Sequence, residues 1–273
     1  MKNQSGISQL HPNDQADAAD AGGRSRRAII LIAGGGGRLR PLTEDVPKGL
    51  LDVGGRPIVE HQMTCLRAAG IREIALVTGH GSEKVRERLG DRVVYFHNDK
   101  YRETNSLYSA WLARDFGRPG CLILNSDVLF HPLLLQRLLA APSPDAILVD
   151  LRSGLGEEEM KVVLDEAGRV LSVSKNLDPA MADGENVGIV RLGREGAGRF
   201  FEVADREIGR REWNHWVPYA VNDLCSTQPF LAVPTEGYPW IEIDYLHDLK
   251  SAREKVFPEI SGALESLDLG TTG

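Results

Sequence analysis

The sequence predicts an α/β protein with a mixed, mainly parallel central sheet and helices on both of its faces. Three observations carry this prediction. The continuous apolar run from Ala28 to Ala33 is typical of a strand that is buried on both faces, as in parallel sheets. Strands then alternate with helices through His97, which is the pattern of βα units. From Lys161 to Leu192 three short strands follow one another, which indicates an antiparallel addition.

The ends of the chain and its composition bound the domain organisation. With 273 residues and 42% hydrophobic content, the chain is an ordinary globular protein of one large or two small domains. Residues 1–26 have no apolar stretch, so they predict a disordered leader and neither a signal peptide nor a membrane anchor. Residues 261–273 end in Gly-Thr-Thr-Gly and predict a loose tail. The net charge of −7 argues against nucleic acids and membranes as partners.

The first elements after the opening strand have clear boundary signals. A helix is predicted from Pro57 to Ala69, with Gly70 as its stop, and a strand from Ile71 to Thr78. A second helix over 83–89 and a strand over 92–97 complete the second βα unit. The cysteines Cys65, Cys121 and Cys225 are far apart and form no Cys-x-x-Cys pair, so we expect reduced core residues of a cytoplasmic protein.

Four consecutive glycines follow the first strand. Without Cβ atoms, Gly34 to Gly37 can turn successive backbone N–H groups toward a phosphate, and the cations Arg38 and Lys48 follow. Leu39 stands where a dinucleotide fingerprint or a Walker A loop needs glycine. Pro41 favours an extended Arg40, so the loop is not expected to lead directly into a helix. The four glycines alone are equally consistent with a turn after a core strand.

The longer pattern from Leu31 to Thr43, followed by Pro47-Lys48, resembles the signature of nucleotidyltransferases that activate sugar phosphates and related phosphate esters. Gly37 departs from the family, which usually has Ser or Thr there. The resemblance implies a Rossmann-like nucleotidyltransferase domain over 27–260, with a substrate lobe near 155–215. It also implies catalytic roles for Arg38 and Lys48. The nucleotide-binding residues that it implies here are Ala33, Gly34, Gly35, Gly36, Gly37, Arg38 and Lys48.

A second segment resembles cytidylyltransferases that act on phosphocholine or phosphonates. It reads Asn98-x-x-Tyr101-x-x-Thr104-Asn105 and is followed by Tyr108-Ser109. The further nucleotide-binding residues implied are Thr104, Asn105, Ser106 and Ser109. Short amides and hydroxyls suit the exocyclic amine and carbonyl of cytosine, whereas Arg or Lys would suit that amine poorly. The alternative for Thr104 or Asn105 is a plain helix N-cap.

Two aspartates are candidates for a Mg²⁺ site. Asp127 ends the predicted buried strand from Cys121, although a turn or cap role is the alternative. The stretch from Trp240 to Asp244 resembles the closing motif of the family, and strand periodicity puts Trp240, Glu242 and Asp244 on one face. Tyr245 replaces the usual small polar residue, so Asp244 has a competing role as a helix cap.

The acceptor side is predicted from weaker signals. Val173-Ser-Lys175 and the stretch from Asp183 to Ile189 resemble acceptor-facing segments of the same cytidylyltransferases. Aromatic faces beside a carboxylate can also hold a cationic amine. The substrate-binding candidates are Lys175, Glu185, Tyr219, Trp240 and Glu242. The alternatives are an exposed cross-strand pair for Lys175 and Glu185 and core packing for the aromatic residues.

These residues predict Mg²⁺-dependent transfer of CMP from CTP to a small phosphate or phosphonate ester such as phosphocholine or an aminoalkylphosphonate, with release of pyrophosphate. The acceptor phosphate is largely dianionic at neutral pH, so the reaction needs charge neutralisation and no strong base. One alternative is a sugar-1-phosphate nucleotidylyltransferase that uses UTP, dTTP or GTP. Another is a nucleotide-binding regulatory module without turnover.

Overall fold

The computed structural model describes residues 26–152 and 155–270, so the leader predicted for residues 1–26 lies outside the described residues except for Arg26. The described strands are β1 (Arg27–Ile32), β2 (Asp52–Val53), β3 (Arg56–Pro57), β4 (Glu73–Thr78), β5 (Val94–His97), β6 (Cys121–Asn125), β7 (Val128–Phe130), β8 (Ala146–Leu151), β9 (Lys161–Leu164), β10 (Val170–Ser174), β11 (Gly184–Leu192), β12 (Leu231–Pro234) and β13 (Trp240–Glu242). The described helices are α1 (Ile58–Ala68), α2 (Ser82–Leu89), α3 (Ser106–Leu112), α4 (Arg114–Gly117), α5 (Pro132–Ala140), α6 (Arg194–Gly209), α7 (Val217–Cys225), α8 (Leu246–Ser251) and α9 (Phe257–Gly270).

Nine of the described strands form one sheet. Strands β6, β1, β4 and β5 lie side by side and run parallel. The long strand β11 pairs antiparallel with β6 through its second half, with β9 through its first half, and with β8 along its other edge. Strand β10 pairs with β9, and β12 pairs with β8. The predicted mixed sheet with a parallel centre is confirmed.

Apolar layers cover both faces of this sheet, as predicted. One layer contains Ile58 and Leu66 of α1 together with Leu134 of α5, all fully buried. The other contains Phe200 and Phe201 of α6, which are also fully buried. Because β1 contributes alternate residues to the two layers, its apolar run is fully explained by burial on both faces. Because β6, β1, β4 and β5 run parallel, their carboxyl ends lie at one edge of the sheet, where the glycine loop begins.

The residues predicted as a small antiparallel substrate lobe, about 155–215, are continuous with the central sheet. The hairpin of β9 and β10 is present, with its turn at 165–168. It joins the sheet through β11, whose residues Gly184 and Glu185 pair with β9. Helix α6, which was included in the lobe, packs in the second apolar layer. Strand β11 thus connects the β9–β10 hairpin to the central sheet.

The predicted loose tail from residue 261 is not observed as far as residue 270, and residues 271–273 lie outside the described residues. Residues 257–270 form α9, in which Ile260 and Leu264 are buried in the first apolar layer. Their four-residue spacing places both on one face of the helix. The prediction of a loose tail was based on the Gly-Thr-Thr-Gly ending and did not use this apolar spacing. Among the described residues, no helix combines the length and hydropathy that crossing a membrane requires.

Candidate active site

The glycine loop lies directly after β1 and is braced by Thr43. Gly36 has a left-handed backbone with φ of 55°, and a Cβ atom there would lie 2.8 Å from Cγ of Lys48. The Thr43 hydroxyl donates to the Gly36 carbonyl at 2.6 Å. Arg40 is extended, as Pro41 predicts, and only a single 3₁₀ turn over Gly37–Leu39 follows the glycines. The loop therefore depends on glycine for both its conformation and its closeness to Lys48.

A short two-stranded ribbon brings the three carboxylates of the site together. Strand β13 pairs antiparallel with β7 so that Glu242 faces Val128, the residue after Asp127. The N–H of Ile243 also donates to the carbonyl of Asp127 at 3.0 Å. Carboxylate oxygens of Asp127, Glu242 and Asp244 consequently lie within 4.8 Å of one another. Glu242, which was predicted to bind the acceptor, belongs to this carboxylate cluster.

The two predicted catalytic cations contact this carboxylate cluster. The Lys48 ammonium donates to Asp127 at 3.2 Å and forms a second hydrogen bond with Asp244. Arg38 donates to the other oxygen of Asp244 at 3.1 Å. The segment that carries Lys48 can approach the segment that carries Asp127 because Gly49 has no side chain: a Cβ atom at Gly49 would lie 2.8 Å from Cβ of Ser126.

The side chain of Asp244 does not cap helix α8. The carboxylate of Asp248 accepts the backbone N–H groups of Asp244 and Tyr245 at 3.0 and 2.7 Å. This arrangement begins helix α8 and leaves the Asp244 carboxylate facing Lys48 and Arg38. The Tyr245 ring lies 5.0 Å from the Arg38 guanidinium. The competing expectation that Asp244 caps the helix was therefore wrong.

Burial and repulsion shape the titration of the cluster. Burial, followed by repulsion from Asp127 and Asp244, raises the pKa of Glu242 to about 8. For Lys48, burial alone would lower the pKa, but the carboxylates of Asp127 and Asp244 outweigh it and raise the pKa. Three carboxylates thus share two cations, and protonation of Glu242 relieves the excess negative charge.

The raised pKa of Glu242 predicts a pH-dependent stability. A carboxyl group whose pKa is raised in the folded state makes its full contribution to stability below its pKa in the unfolded chain, near 4.5. That contribution falls with rising pH and is lost once the pH passes about 8. Glu242→Gln mimics the protonated form at every pH. We expect the unfolding midpoint of the wild-type protein in a chelator to fall relative to that of this variant between about pH 4.5 and about pH 8, and the difference to level off above that range. Thermal unfolding of both proteins measures this, and a constant difference between them would contradict it.

The carboxylate cluster can hold a metal ion. It offers only carboxylate oxygens, which are the ligands that hard divalent cations such as Mg²⁺ prefer. The raised pKa of Glu242 also means that the cluster gains stability when a positive charge is added to it. Donor type and charge therefore both fit a hard divalent cation.

The predicted nucleotide segment is held together by the buried Asn98. Its side-chain amide donates to the hydroxyls of Thr104 and Ser109, both at 3.0 Å. Asn105 is the N-cap of α3 and accepts the N–H of Ser106 at 3.0 Å. The Ser106 hydroxyl accepts the backbone N–H of Val217 at 2.9 Å. The alternative that Asn105 is a helix N-cap is therefore observed.

The acceptor-side candidates are only partly brought together. Lys175 lies 3.9 Å from Glu158 and 5.5 Å from the ring of Trp216. Glu185 is buried and paired with Arg152, and burial raises its pKa despite that pairing. Lys175 is not the residue that lies opposite Glu185 on a neighbouring strand. The alternative of an exposed cross-strand pair between Lys175 and Glu185 therefore does not hold.

One pocket of about 440 Å³ joins these regions at the carboxyl ends of β1 and β6. The predicted residues that line it are Ala33, Gly34, Gly36, Gly37, Arg38, Lys48, Thr104, Asn105, Ser106, Ser109, Asp127, Lys175, Glu242 and Asp244. The predicted residues Gly35, Glu185, Tyr219 and Trp240 are not among its lining residues. Tyr219 stacks on His215 with ring centroids 3.7 Å apart, and Trp240 packs against the first apolar layer.

Three further residues shape the site without having been predicted as site residues. Asn98 lines the pocket and organises the nucleotide segment, and Trp216 lines the pocket beside Lys175. Gln62 of α1 donates to the carbonyls of Asn125 and Val128, both at 2.8 Å, and so fixes the turn that carries Asp127. Asn98 had a detectable signal, since it begins the second motif. Gln62 had none, because its partners are backbone atoms distant in sequence.

Comparison with known proteins places the chain among nucleotidyltransferases. The profile of the family described as "MobA-like NTP transferase domain" matches residues 28–186. The chain is 40% identical over 126 residues to the CMP-5'-(3-aminopropyl)phosphonate synthase of Streptomyces rubellomurinus. This match covers 44% of the chain and spans only 20% of the length of the Streptomyces protein.

Two further similarities extend over most of the chain. It is 27% identical over 252 residues to the CTP:phosphoglutamine cytidylyltransferase of Campylobacter jejuni, which covers 84% of the chain and 99% of that protein. The solved structure of the inositol-1-phosphate CTP transferase from T. maritima matches with a TM-score of 0.73 and 25% identity, covering 87% of the chain and 96% of that structure. The predicted Rossmann-like nucleotidyltransferase fold and the predicted resemblance to cytidylyltransferases are confirmed.

Proposed function

The chain belongs to the family of MobA-like NTP transferase domains and is a nucleotidyltransferase, and we propose that it joins CMP from CTP to a small phosphate or phosphonate ester with release of pyrophosphate. The observation that carries this proposal is the pocket in which the glycine loop, the Thr104–Ser109 segment and three carboxylates meet. The names of the relatives support CTP as the nucleotide, since the Campylobacter enzyme and the T. maritima protein are both described as CTP-using transferases.

The reaction needs one bond to form and one to break at the α-phosphorus of CTP. An oxygen of the acceptor phosphate or phosphonate attacks this phosphorus. The bond from the α-phosphorus to the oxygen that bridges to the β-phosphate breaks, and pyrophosphate leaves with the electron pair. Because the attacking oxygen is already anionic, the site must neutralise charge and align the two phosphates.

The glycine loop and the two cations supply the chain's part of this neutralisation. Gly34, Gly36 and Gly37 line the pocket, where backbone N–H groups can approach phosphate oxygens closely. Lys48 and Arg38 carry the positive charge next to them. Mg²⁺ at Asp127, Glu242 and Asp244 would add a Lewis acid that withdraws negative charge from the phosphates.

The nucleotide base is assigned to the segment that Asn98 organises. Thr104, Asn105 and Ser109 offer short hydroxyl and amide groups at one side of the pocket. These groups both donate and accept hydrogen bonds, which suits the carbonyl and exocyclic amine of cytosine. The acceptor is assigned to the side of the pocket that contains Lys175 and Trp216, where a phosphate or phosphonate would face a cation.

A matrix of substrates tests the proposal. Pyrophosphate release with Mg²⁺ is measured for CTP, UTP, GTP, ATP and dTTP, each with phosphocholine, 2-aminoethylphosphonate, an inositol phosphate and glucose 1-phosphate. We expect turnover only with CTP and only with small phosphate or phosphonate esters. The same reactions in a chelator of divalent cations serve as the control and should be silent.

The other outcomes each select a different function. Turnover with UTP, dTTP or GTP and glucose 1-phosphate would assign the chain to sugar-phosphate activation. Nucleotide binding without pyrophosphate release in any mixture would favour a regulatory module. Turnover that persists in the chelator would remove the metal from the proposal and leave the cations as the source of neutralisation.

A further inference from the structure

Lys161, at the start of β9, is a fully buried lysine that takes no part in the chemistry described above. It is 0% exposed. Its ammonium donates to the backbone carbonyls of Gly156, Glu157 and Glu159 at 3.1, 3.1 and 3.2 Å. A lysine has three N–H donors, so these carbonyls saturate it. One side chain thus binds three residues of a single loop.

A buried cation of this kind is costly for the fold. Moving an ammonium group out of water is strongly unfavourable unless it is fully hydrogen-bonded. Methionine has nearly the same length and would avoid that cost, so stability alone does not explain a lysine at this position. The specific effect of the ammonium is to hold one loop, residues 156–160, in one conformation. The far end of the loop is fixed as well, since the N–H of Asn186 donates to the carbonyl of Met160 at 2.8 Å.

The 156–160 loop delivers a carboxylate to the pocket. Glu158 lines the pocket and lies 3.7 Å from Arg38 and 3.9 Å from Lys175. It therefore stands between a cation of the glycine loop and a cation of the acceptor side. A negative charge at this place weakens the attraction of both cations for an anion.

The side chain of Glu158 cannot hold this position by itself. It is 73% exposed, and both of its ion pairs are long. Exposed ion pairs of this type contribute between zero and about 1 kcal/mol. The location of the carboxylate must therefore come from the backbone beneath it, and the backbone is held by Lys161.

We propose that Lys161 is a positioning residue that fixes the 156–160 loop and thereby keeps Glu158 between Arg38 and Lys175 at the acceptor end of the pocket. The assignment of this end to the acceptor rests on the proposed function. The consequence is that Lys161 controls acceptor affinity through Glu158 without contacting any substrate. CTP, which is assigned to the opposite side of the pocket, should be affected much less.

The test compares Lys161→Met with Val162→Ala. Val162 is the next residue of β9, is also 0% exposed, and points to the other face of the sheet. Hydrogen–deuterium exchange of peptides that cover residues 155–160 is measured for both. We expect faster exchange in this loop for Lys161→Met and unchanged exchange there for Val162→Ala. Lys161→Gln, which keeps two N–H donors, replaces the methionine variant if that protein does not fold.

Kinetics with the acceptor found in the substrate matrix provide the second readout. We expect Lys161→Met to lower the acceptor KM by up to about fivefold, because Glu158 then opposes Arg38 and Lys175 less, and to change the CTP KM by less than about twofold. Glu158→Gln should change the acceptor KM in the same direction, and the double variant should show no more than the larger single effect. Val162→Ala combined with Glu158→Gln should instead multiply the two single effects.

Each failure has a distinct meaning. Unchanged exchange in the loop, or an acceptor KM unaffected by Lys161→Met, would overturn the role of Lys161 while leaving the proposed function standing. Multiplicative effects of Lys161→Met and Glu158→Gln would overturn the coupling through Glu158. A wild-type protein that turns over no acceptor would instead refute the proposed function, and hydrogen exchange would then decide alone whether Lys161 holds the loop.

Discussion

Asp127→Asn is expected to lower kcat by at least about 10²-fold while leaving the fold intact. The substitution keeps the shape of the side chain and removes the charge that pairs with Lys48. The turn that carries Asp127 is held by Gln62 through backbone carbonyls, which the substitution does not touch. Pyrophosphate release at saturating CTP and acceptor measures kcat, and circular dichroism checks the fold.

A second measurement separates metal binding from general charge effects. Added Mg²⁺ should raise the unfolding midpoint of the wild-type protein, because a ligand that binds only the folded state stabilises it. Asp127→Asn should lose most of this response, whereas Asp91→Asn, which removes a charge from an exposed residue, should keep it. Near-normal turnover with an intact Mg²⁺ response in Asp127→Asn would remove Asp127 from the metal site.

The central sheet was predictable because its signals are local. The apolar run of β1 reports burial on both faces, and the turn at 165–168 reports a hairpin. The path of β11 was not predictable in the same way. This strand pairs with three others: its second half with β6, its first half with β9, and both halves with β8. A pairing of this kind depends on contacts across the whole sheet and leaves no periodic pattern in the strand itself.

The carboxylate cluster was predicted in part, and the register of the β7–β13 ribbon explains the difference. Strand periodicity correctly placed Glu242 and Asp244 on one face. It also placed Trp240 there, but Trp240 pairs opposite Phe130, further along the ribbon, and packs against the first apolar layer. Distance along the ribbon, which the sequence does not state, decides which residues of that face reach the pocket. The same lack of long-range information hid Gln62.

The surroundings of Lys48 are consistent with two different roles. Its ammonium lies between Asp127 and Asp244, where it contacts two of the three carboxylates that can hold a metal ion. A cation that only balanced these charges would be a structural residue. A cation that acts on phosphates must also face the pocket, and Lys48 does line it together with Gly36. The two roles predict opposite results when the side chain is removed.

Lys48→Ala is expected to lower kcat by about 10²- to 10³-fold, the usual cost of removing one group that stabilises charge in the transition state. The same variant should keep or increase the Mg²⁺-dependent rise in unfolding midpoint, because removal of the ammonium takes away a competing cation and leaves more negative charge at the carboxylates. Lys48→Arg retains the charge and should recover part of the lost rate. Asp127→Asn shares the loss of turnover but should lose the Mg²⁺ response, so the two variants separate neutralisation of phosphate from binding of metal. Full activity in Lys48→Ala would show that Lys48 only balances the charge of the carboxylates.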